Sequence, residues 1–353
     1  MKKTFYILFI LLALSGCNKE EYSAEQIPSE WVENKNNPII KTNSDFENIL
    51  WDNPCVLKDS SGYRMWLSGG EQGGKTCIYL ATSNIETRWL IDTNIALEPG
   101  FEGSWDDKEV GSPTVVFVDS VYHMYYAGIS MNDLPNQYSI GHAISKDGLL
   151  WYKDPDNPII NHHYEKTEWG YYQANAPGVM FYNNKFYLYY STAKERIGYD
   201  DVRKIQQGIA LATSSDGRVF TNYSNSDSSK ISPVLVLSEN YPLENYFSGC
   251  ATPCPLVDAV GTVHLFYDII QYQNKRDWQQ VALSHATSRD GLLFVEKEYS
   301  FFTNGQEDWK NYEVRSPSVI LDEGVFKMWF AGNNNFFPED NFTQGIGYAS
   351  RNK

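Results

Sequence analysis

Positive charge is scarce in this sequence. The 353 residues include 29 Lys and Arg against 44 Asp and Glu, which leaves a formal net charge of −15. Binding to nucleic acid or to an anionic membrane surface needs clustered Lys and Arg. The composition therefore argues against both kinds of partner, and it favours uncharged ligands over anionic ones.

Cysteine is also scarce, with five in the whole chain. One is Cys17, near the N-terminus; the others are Cys55, Cys77, Cys250 and Cys254. These four have neither the Cys-x-x-Cys spacing nor the accompanying His cluster of a zinc site, so we predict no metal site. Four cysteines in an exported protein allow three disulfide connectivities. Free, buried thiols are favoured, because Cys55 and Cys77 fall on strands that are not predicted to be neighbours.

The N-terminus is a targeting segment. Lys2 and Lys3 precede an apolar run over residues 5–14, which is too short to span a membrane but is typical of a secretory signal. The run ends in Leu-Ser-Gly-Cys17, which resembles a bacterial lipoprotein box and predicts lipidation of Cys17. We predict a signal peptide over 1–17, a tether over 18–28 and a folded domain over 29–353. The lipid would anchor the protein to a bacterial membrane, in the periplasm or at the outer-membrane cell surface; an ordinary secreted protein is the alternative.

A three-part pattern of short apolar runs occurs five times. In the last unit it comprises residues 312–320, a polar approach followed by Pro317 and an apolar run, then residues 326–332 and 345–350. The corresponding prolines stand at positions 54, 113, 177, 253 and 317, at intervals of 59, 64, 76 and 64 residues. Periods of this order, built from short strands, predict a propeller, because one small sheet cannot bury both of its faces alone.

A fourth strand follows the third in the middle three units. It comes after an Asp-Gly turn each time, at Asp147, Asp216 and Asp290. The last unit lacks this strand, but residues 31–40 (from Trp31) align without gaps to residues 151–160. We therefore predict an all-β, five-bladed propeller with four-stranded blades, closed by an N-terminal strand that joins the last blade. The alternative places Trp31 in a linker. The three Asp-Gly aspartates are interpreted as structural turns.

Polar residues collect just before the five prolines. The first strand of a propeller blade lines the central channel, so these positions meet at one mouth of the ring and form the default site. They are Trp51, Asp52, Glu109, Ser112, Gln173, Asn175, Ser248, Cys250, Thr252, Glu313, Arg315 and Ser316. Asp268, on a second strand, could reach the same place.

The five units, the leading Asp-x-Pro and the repeated Asp-Gly turns resemble the five-bladed furanosidase-type glycoside hydrolases, the superfamily of families 43 and 32. The resemblance covers roughly residues 31–350. It implies a general base from blade one, a carboxylate that tunes pKa from blade two and a general acid from blade three. Asp52 matches the base. Blade two has Ser112 at the acid position, with Glu109 nearby, and blade three has Asn175, whose amide cannot act as a general acid. Glu313 from blade five is a possible replacement.

The resemblance thus implies a glycoside hydrolase that acts on a plant or algal glycan, with Asp52 as base and Glu109 or Glu313 as acid. We predict that two tryptophans stack on sugar and that four further residues bind it: Trp51 and Trp105; Ser112, Asn175, Asp268 and Arg315. No cofactor is required, and a structural cation in the channel stays open. The predicted partner is carbohydrate, the membrane is reached only through the lipid, and a monomer is expected. The alternative is a non-catalytic glycan-binding propeller. A mannoside phosphorylase would need a basic phosphate pocket, which one arginine does not supply.

Overall fold

The computed structural model of the chain describes residues 30–42, 49–71, 74–134, 137–195, 205–225, 230–237, 248–274, 277–303, 308–335 and 342–353. These residues form strands and one turn of 3-10 helix, Asp308–Lys310. In chain order the strands are β1 (Val32–Glu33), β2 (Ile40–Lys41), β3 (Ile49–Asp59), β4 (Gly62–Glu71), β5 (Thr76–Ser83), β6 (Leu90–Leu97), β7 (Glu109–Val118), β8 (Val121–Ile129), β9 (Ser139–Ser145), β10 (Tyr152–Lys153), β11 (Gln173–Tyr182), β12 (Lys185–Glu195), β13 (Ile205–Ser214), β14 (Thr221–Asn222), β15 (Ser248–Val257), β16 (Val263–Asn274), β17 (Asp277–Ser288), β18 (Val295–Thr303), β19 (Glu313–Asp322), β20 (Val325–Asn333) and β21 (Gln344–Asn352). The described part of the chain contains no helix long and apolar enough to cross a membrane.

The strands form five antiparallel sheets. Four of them are consecutive runs of four strands, β3–β6, β7–β10, β11–β14 and β15–β18, and the fifth combines β19–β21 with β1 and β2. The first strand of each sheet packs against the first strand of the next, and β19 packs against β3. The predicted five-bladed propeller with four-stranded blades is therefore confirmed.

The N-terminal segment closes the ring. Strand β1 pairs with β21 through Val32 and Ser350, so it forms the outer strand of blade five. Trp31 packs against Phe266 of blade four and Phe326 of blade five, with ring centroids 6.1 and 6.5 Å apart. Burial of these rings joins the two blades at the seam where the chain begins and ends. The predicted closure is confirmed, and the linker alternative is excluded.

The alignment with blade two extends to single hydrogen bonds. The side chain of Asn37 donates to the carbonyl of Tyr348 and accepts from its N–H, at 3.0 and 2.9 Å. Asn157 makes the same two bonds to His142 in blade two, both at 2.8 Å. In both places an amide takes over the backbone pairing where the outer strand ends, because it can donate and accept at once.

A bulge interrupts the first strand of every blade at the same height. The residue before the repeated proline has a φ between 44° and 55° in all five blades, at Asn53, Ser112, Ala176, Thr252 and Ser316. Strand pairing shifts at each of these places. Left-handed φ in residues with a Cβ is costly and persists only where the surroundings impose it. The five bulges and the five prolines together line a narrow central space of 40 Å³.

Side chains just after the prolines link neighbouring blades. The Cys55 thiol accepts from the N–H of Val115 at 3.2 Å, and the Cys254 thiol accepts from Val319 at 3.1 Å. Burial raises the pKa of Cys55 to about 11 and that of Cys254 to about 12, so both stay thiols. Thr114 and Ser318 serve two other seams in the same way. All four described cysteines are free, as predicted.

The seam between blades three and four is different. Here Gly178 replaces the accepting side chain, and Pro255 replaces the residue whose N–H would donate. A Cβ at Gly178 would lie 1.9 Å from the carbonyl oxygen of Pro253 and 2.7 Å from Cδ of Pro255. Direct backbone contact therefore takes the place of the hydrogen bond at this seam.

Gly178→Ala is expected to destabilise the fold by about 1–3 kcal/mol or more, because the backbone of blade four must move to admit a methyl group. The control is Gly111→Ala, at a similar height in blade two. There the nearest atom is the Ser68 hydroxyl at 3.0 Å, so the added methyl group meets a side chain and not the backbone of another blade. Chemical unfolding at neutral pH measures both variants. Equal losses at the two positions would contradict the close backbone contact.

The three Asp-Gly turns are structural, in agreement with their interpretation from sequence. Asp147 accepts from the N–H groups of Leu149 and Leu150 at 2.9 and 3.0 Å. The carbonyl of Gly148 accepts from the indole of Trp66 in blade one at 3.1 Å. Asp216 and Asp290 make the same local bonds. The turns of blades two, three and four thus each bind the preceding blade through a glycine carbonyl.

Candidate active site

The ends of three strands per blade meet at one face of the ring. Because neighbouring strands are antiparallel, the first strand begins, the second ends and the third begins on the same side. A cavity of 540 Å³ lies there and is lined from all five blades. Its polar lining includes Asp52, Asn53, Ser68, Glu71, Thr76, Glu109, Ser112, Tyr138, Asn175, Thr252, Gln280, Arg315, Ser316, Asn333 and Gln344.

Arg315 holds two of the predicted catalytic carboxylates together. Its Nη2 lies 2.9 Å from Oδ2 of Asp52, and its Nη1 lies 2.7 Å from Oε2 of Glu313. Burial alone would lower the pKa of Arg315, but the carboxylates of Asp52 and Glu313 raise it above its ordinary value. Asp52 lines the cavity, whereas Glu313 reaches it through Arg315 and also accepts from the Asn333 amide at 2.9 Å.

Glu109 stands on the cavity wall from blade two. The hydroxyl of Tyr138 donates to its Oε1, and the hydroxyl of Thr76 lies 3.4 Å from its Oε2. Burial, and then the neighbouring charge of Glu109, raise the pKa of Tyr138 well above its ordinary value. Tyr138 therefore remains a hydrogen-bond donor at any physiological pH, and it fixes one oxygen of Glu109.

Asp268 corrects the prediction that it binds substrate. Its side chain is fully buried, and it is not among the described residues that line the cavity. Its Oδ2 accepts from Thr252 Oγ1 at 2.5 Å, from Gln280 Nε2 at 2.7 Å and, more weakly, from the N–H of Ser316 at 3.4 Å. Asp268 lies on β16, the second strand of blade four, and Thr252, Gln280 and Ser316 lie between its side chain and the cavity. Asp268 therefore holds residues of the cavity wall in place without being exposed to the cavity itself.

The burial of Asp268 makes stability depend on pH. Burial raises its pKa to about 6, while in the unfolded chain it titrates near 3.8. The folded state thus binds the proton more tightly, so this group's contribution to stability is full below about pH 4 and is lost as the pH rises through about 6. Relative to Asp268→Asn, the wild-type protein should lose on the order of 2–3 kcal/mol across that window. Unfolding curves from pH 4 to 7 measure this; a constant difference would contradict the assignment.

Neither predicted stacking tryptophan lies on the cavity. Trp51 has no exposed surface and packs edge-on to Tyr79, with ring centroids 5.3 Å apart. Trp105 packs on Tyr126 within blade two, where Gly128 and Gly141 leave room for its ring. Both rings belong to the packing of their blades, which corrects the expectation that they stack on sugar.

The two polar positions before the prolines of blades two and three do line the cavity. Ser112 occupies the bulge of blade two, and its N–H donates to the Ser68 hydroxyl at 2.8 Å. Asn175 of blade three accepts from the N–H of Ala176 through Oδ1 at 2.6 Å, and its Nδ2 donates a long bond of 3.5 Å to Oε1 of Gln173. The structure thus brings Asp52, Glu109, Ser112, Asn175 and Arg315 to one cavity.

The third strands contribute lining residues that were not predicted from the sequence. Tyr138 lies just before β9, Gln280 is the fourth residue of β17, Gln344 is the first residue of β21, and all three line the cavity. Thr76 does the same in blade one. The signal was available, because the same antiparallel argument that places the start of each first strand at the mouth also places the start of each third strand there.

The cavity can support acid–base chemistry on a substrate bond that lies between the side chains of Asp52 and Glu109. Two carboxylates from different blades face one space, and each is fixed by a donor: Arg315 for Asp52, and Tyr138 for Glu109. Among the described residues there is no group of three or more His, Cys, Asp or Glu that could hold a metal ion.

Comparisons with known proteins agree with this fold. A model of the prokaryotic membrane lipoprotein lipid attachment site matches residues 1–18. No curated protein matches the sequence. Among solved structures, a glycosyl hydrolase from Bacteroides ovatus is 14% identical, with a TM-score of 0.65 over 92% of this chain and 95% of that one.

Two further solved structures are similar. The family 117 glycoside hydrolase Zg3597 from Zobellia galactanivorans is 14% identical, with a TM-score of 0.62 over 92% of this chain and 90% of that one. The third belongs to work on the GH130 family of mannoside phosphorylases, which contains glycoside hydrolases that target β-1,2 mannosidic linkages in Candida mannan. It is 12% identical, with a TM-score of 0.65 over 92% of this chain and 95% of that one. The chain carries a prokaryotic lipoprotein lipid attachment site at its N-terminus, and its five-bladed β-propeller is similar in fold to these glycoside hydrolases.

Proposed function

We propose that the protein is a glycoside hydrolase that cleaves an oligosaccharide or polysaccharide of plant or algal origin. The observation that carries the proposal is the convergence of Asp52 and Glu109 on one cavity at the mouth of the ring. Glycosidic cleavage needs two carboxyl groups on opposite sides of the scissile bond. The fold shared with known glycoside hydrolases supports the same reading.

Asp52 is the proposed base. The guanidinium of Arg315 binds its Oδ2, and its Oδ1 accepts from the N–H of Asn53 at 2.8 Å, so the carboxylate is held in one orientation. A fixed carboxylate can remove a proton from an attacking water, or attack the sugar itself, without first reorganising. Glu313 would then act as a positioning residue, because it holds Arg315 from the other side.

Glu109 is the proposed general acid. The bond from Tyr138 occupies Oε1, which leaves Oε2, beside Thr76, to carry the proton toward the glycosidic oxygen. Blade two thus supplies the acid that the related hydrolases are expected to take from blade three, where this chain has Asn175.

The substrate is proposed to be uncharged at the cleaved sugar. The lining carries three carboxylates, Asp52, Glu71 and Glu109, against one cation. That cation, Arg315, is already paired with Asp52 and Glu313. At the described lining residues, a uronate or a sulfated sugar would meet net negative charge and no unpaired cation.

The lipid anchor is proposed to hold the mouth away from the membrane. Strand β21 begins at the mouth with Gln344 and runs to Asn352 at the opposite face. Strand β1 joins it through Val32 and Ser350, so the chain enters the propeller near that opposite face. A tether from Cys17 would then leave the mouth of the ring facing away from the membrane, in the periplasm or at the cell surface.

The proposal is tested by incubating the lipidated protein in detergent with uncharged xylo-, arabino- and agaro-oligosaccharides. New reducing ends are measured against time. We expect turnover of at least one of the three series of oligosaccharides, and we expect the Asp52→Asn variant to lose that turnover. No turnover together with binding would favour the second candidate, a non-catalytic glycan-binding propeller. The observation that favours this candidate is Asn175, an amide where an acid is expected. Failure to bind any of these oligosaccharides would contradict both the hydrolase and the glycan-binding function.

A further inference from the structure

A second cavity lies beside the first, between blades three and four. Its volume is 210 Å³. The two cavities share one wall, formed by Tyr138, Asn175, Ala176, Thr252 and Gln280. They are therefore neighbouring compartments of one site at the mouth of the ring.

The lining of the second cavity has a different chemistry from that of the first. None of its described lining residues is charged. Its polar side chains are amides and hydroxyls, from Gln173, Asn175, Gln207, Gln280, Tyr138, Tyr172, Ser191 and Thr252. An amide offers both donors and acceptors, which is the combination that the hydroxyl groups of an uncharged sugar require.

Gln207 is the residue that points most clearly to a ligand. It lies on β13 opposite Ala193, and its side chain is 93% buried, with an exposed fraction of 7%. No hydrogen bond of its amide to any residue is found in the described part of the chain, although it lines the cavity. The amide therefore keeps its donors and its acceptor free for a ligand that enters the cavity. A ligand in the cavity would supply the missing bonds.

We propose that this second cavity binds an uncharged sugar unit next to the unit whose bond is cleaved. The inference rests on the proposed function, because it takes the first cavity as the reaction site. The volume equals that of about seven water molecules at roughly 30 Å³ each, which suits a single sugar ring. Asn175 stands where the two cavities meet. Its Nδ2 donates a long bond of 3.5 Å to Gln173 and has a second N–H that can donate to a hydroxyl of either unit. The amide at this position is thereby explained as a recognition group.

The test measures how affinity grows with the length of the sugar. The non-hydrolysing Asp52→Asn full-length protein in detergent is titrated calorimetrically with xylo-, arabino- and agaro-oligosaccharides of one to four units. The same titration is made with Gln207→Leu and with Gln173→Ala added in turn. Both of these glutamines line only the second cavity. The matched control is Thr76→Ala, which lines only the first.

In the Asp52→Asn protein, a second sugar unit is expected to tighten binding by about tenfold, or about 1.4 kcal/mol. That gain should vanish with Gln207→Leu or Gln173→Ala and persist with Thr76→Ala, whatever happens to the affinity for one unit. Equal gains in all variants would overturn the second sugar site while leaving the proposed function intact. No binding of any length would overturn the proposed function and this inference together. Gln173→Ala, at a half-buried position, keeps the test decisive should Gln207→Leu not fold.

Discussion

Asp52→Asn will lower kcat for oligosaccharide hydrolysis by about 10²–10⁴-fold, the usual contribution of a general acid or base. The amide keeps the shape of the side chain and can still accept a hydrogen bond from Arg315, but it cannot take a proton or attack the sugar. Binding should change much less than turnover, because the rest of the cavity is untouched. Initial rates and calorimetric titration on the same oligosaccharide measure the two effects separately.

A matched control for this substitution is Asp119→Asn. Asp119 is exposed in the turn between β7 and β8, at the end of the blade away from the cavity, and Asn tolerates its φ of 50°. The kcat of the Asp119→Asn variant should equal that of the wild-type protein. If Asp52→Asn retained more than a tenth of the wild-type kcat, Asp52 could not be the base, and the assignment of roles in this site would have to be abandoned.

Arg315→Met will destabilise the folded protein by about 3–5 kcal/mol. Arg315 has an exposed fraction of 8% and pairs with two carboxylates that are themselves largely buried. Removing the cation leaves Asp52 and Glu313 close together without compensation, which is the expensive way to break a buried ion pair. Equilibrium unfolding in urea at pH 7 measures the loss.

Two further variants show whether the loss comes from the unpaired charges. Adding Glu313→Gln to Arg315→Met should recover part of the stability, because one of the two like charges is removed. Lys230→Met breaks an exposed pair with Glu168, whose N and O atoms are 3.1 Å apart, and should change stability by less than about 1 kcal/mol. A loss on Arg315→Met no larger than that on Lys230→Met would contradict the central role of this ion pair.

The repeat was enough to predict the ring, its closure and the side on which the polar cavity lies. Five prolines at similar intervals fix five first strands, and a gapless match of residues 31–40 to residues 151–160 fixes the closing strand. The alternation of side chains in a strand also predicts that Glu313 and Arg315, two residues apart, share a face. They bond at 2.7 Å.

The same alternation explains one error. Trp51 and Asp52 are adjacent in β3, so they point to opposite faces, and only one of them can reach the cavity. Asp52 does, and Trp51 is buried against Tyr79. The prediction that both contact the sugar neglected this rule.

Other features could not be predicted from one sequence. Trp105 lies outside the repeated strands, so nothing in the pattern fixes where its ring packs. The burial of Asp268 depends on side chains from three strands, Thr252, Gln280 and Ser316, that close over it. The second cavity depends on how side chains from blades three and four pack beside each other. Packing of this kind is decided by the whole fold.

The most direct test is a crystal structure of Asp52→Asn with a bound uncharged oligosaccharide. We expect a glycosidic oxygen between residue 52 and the Oε2 atom of Glu109, at the mouth of the ring. The opposite face holds a larger cavity of 720 Å³, lined by His264, His285 and Arg351 among others. Sugar bound only there, or with every glycosidic bond remote from Glu109, would contradict the proposed site.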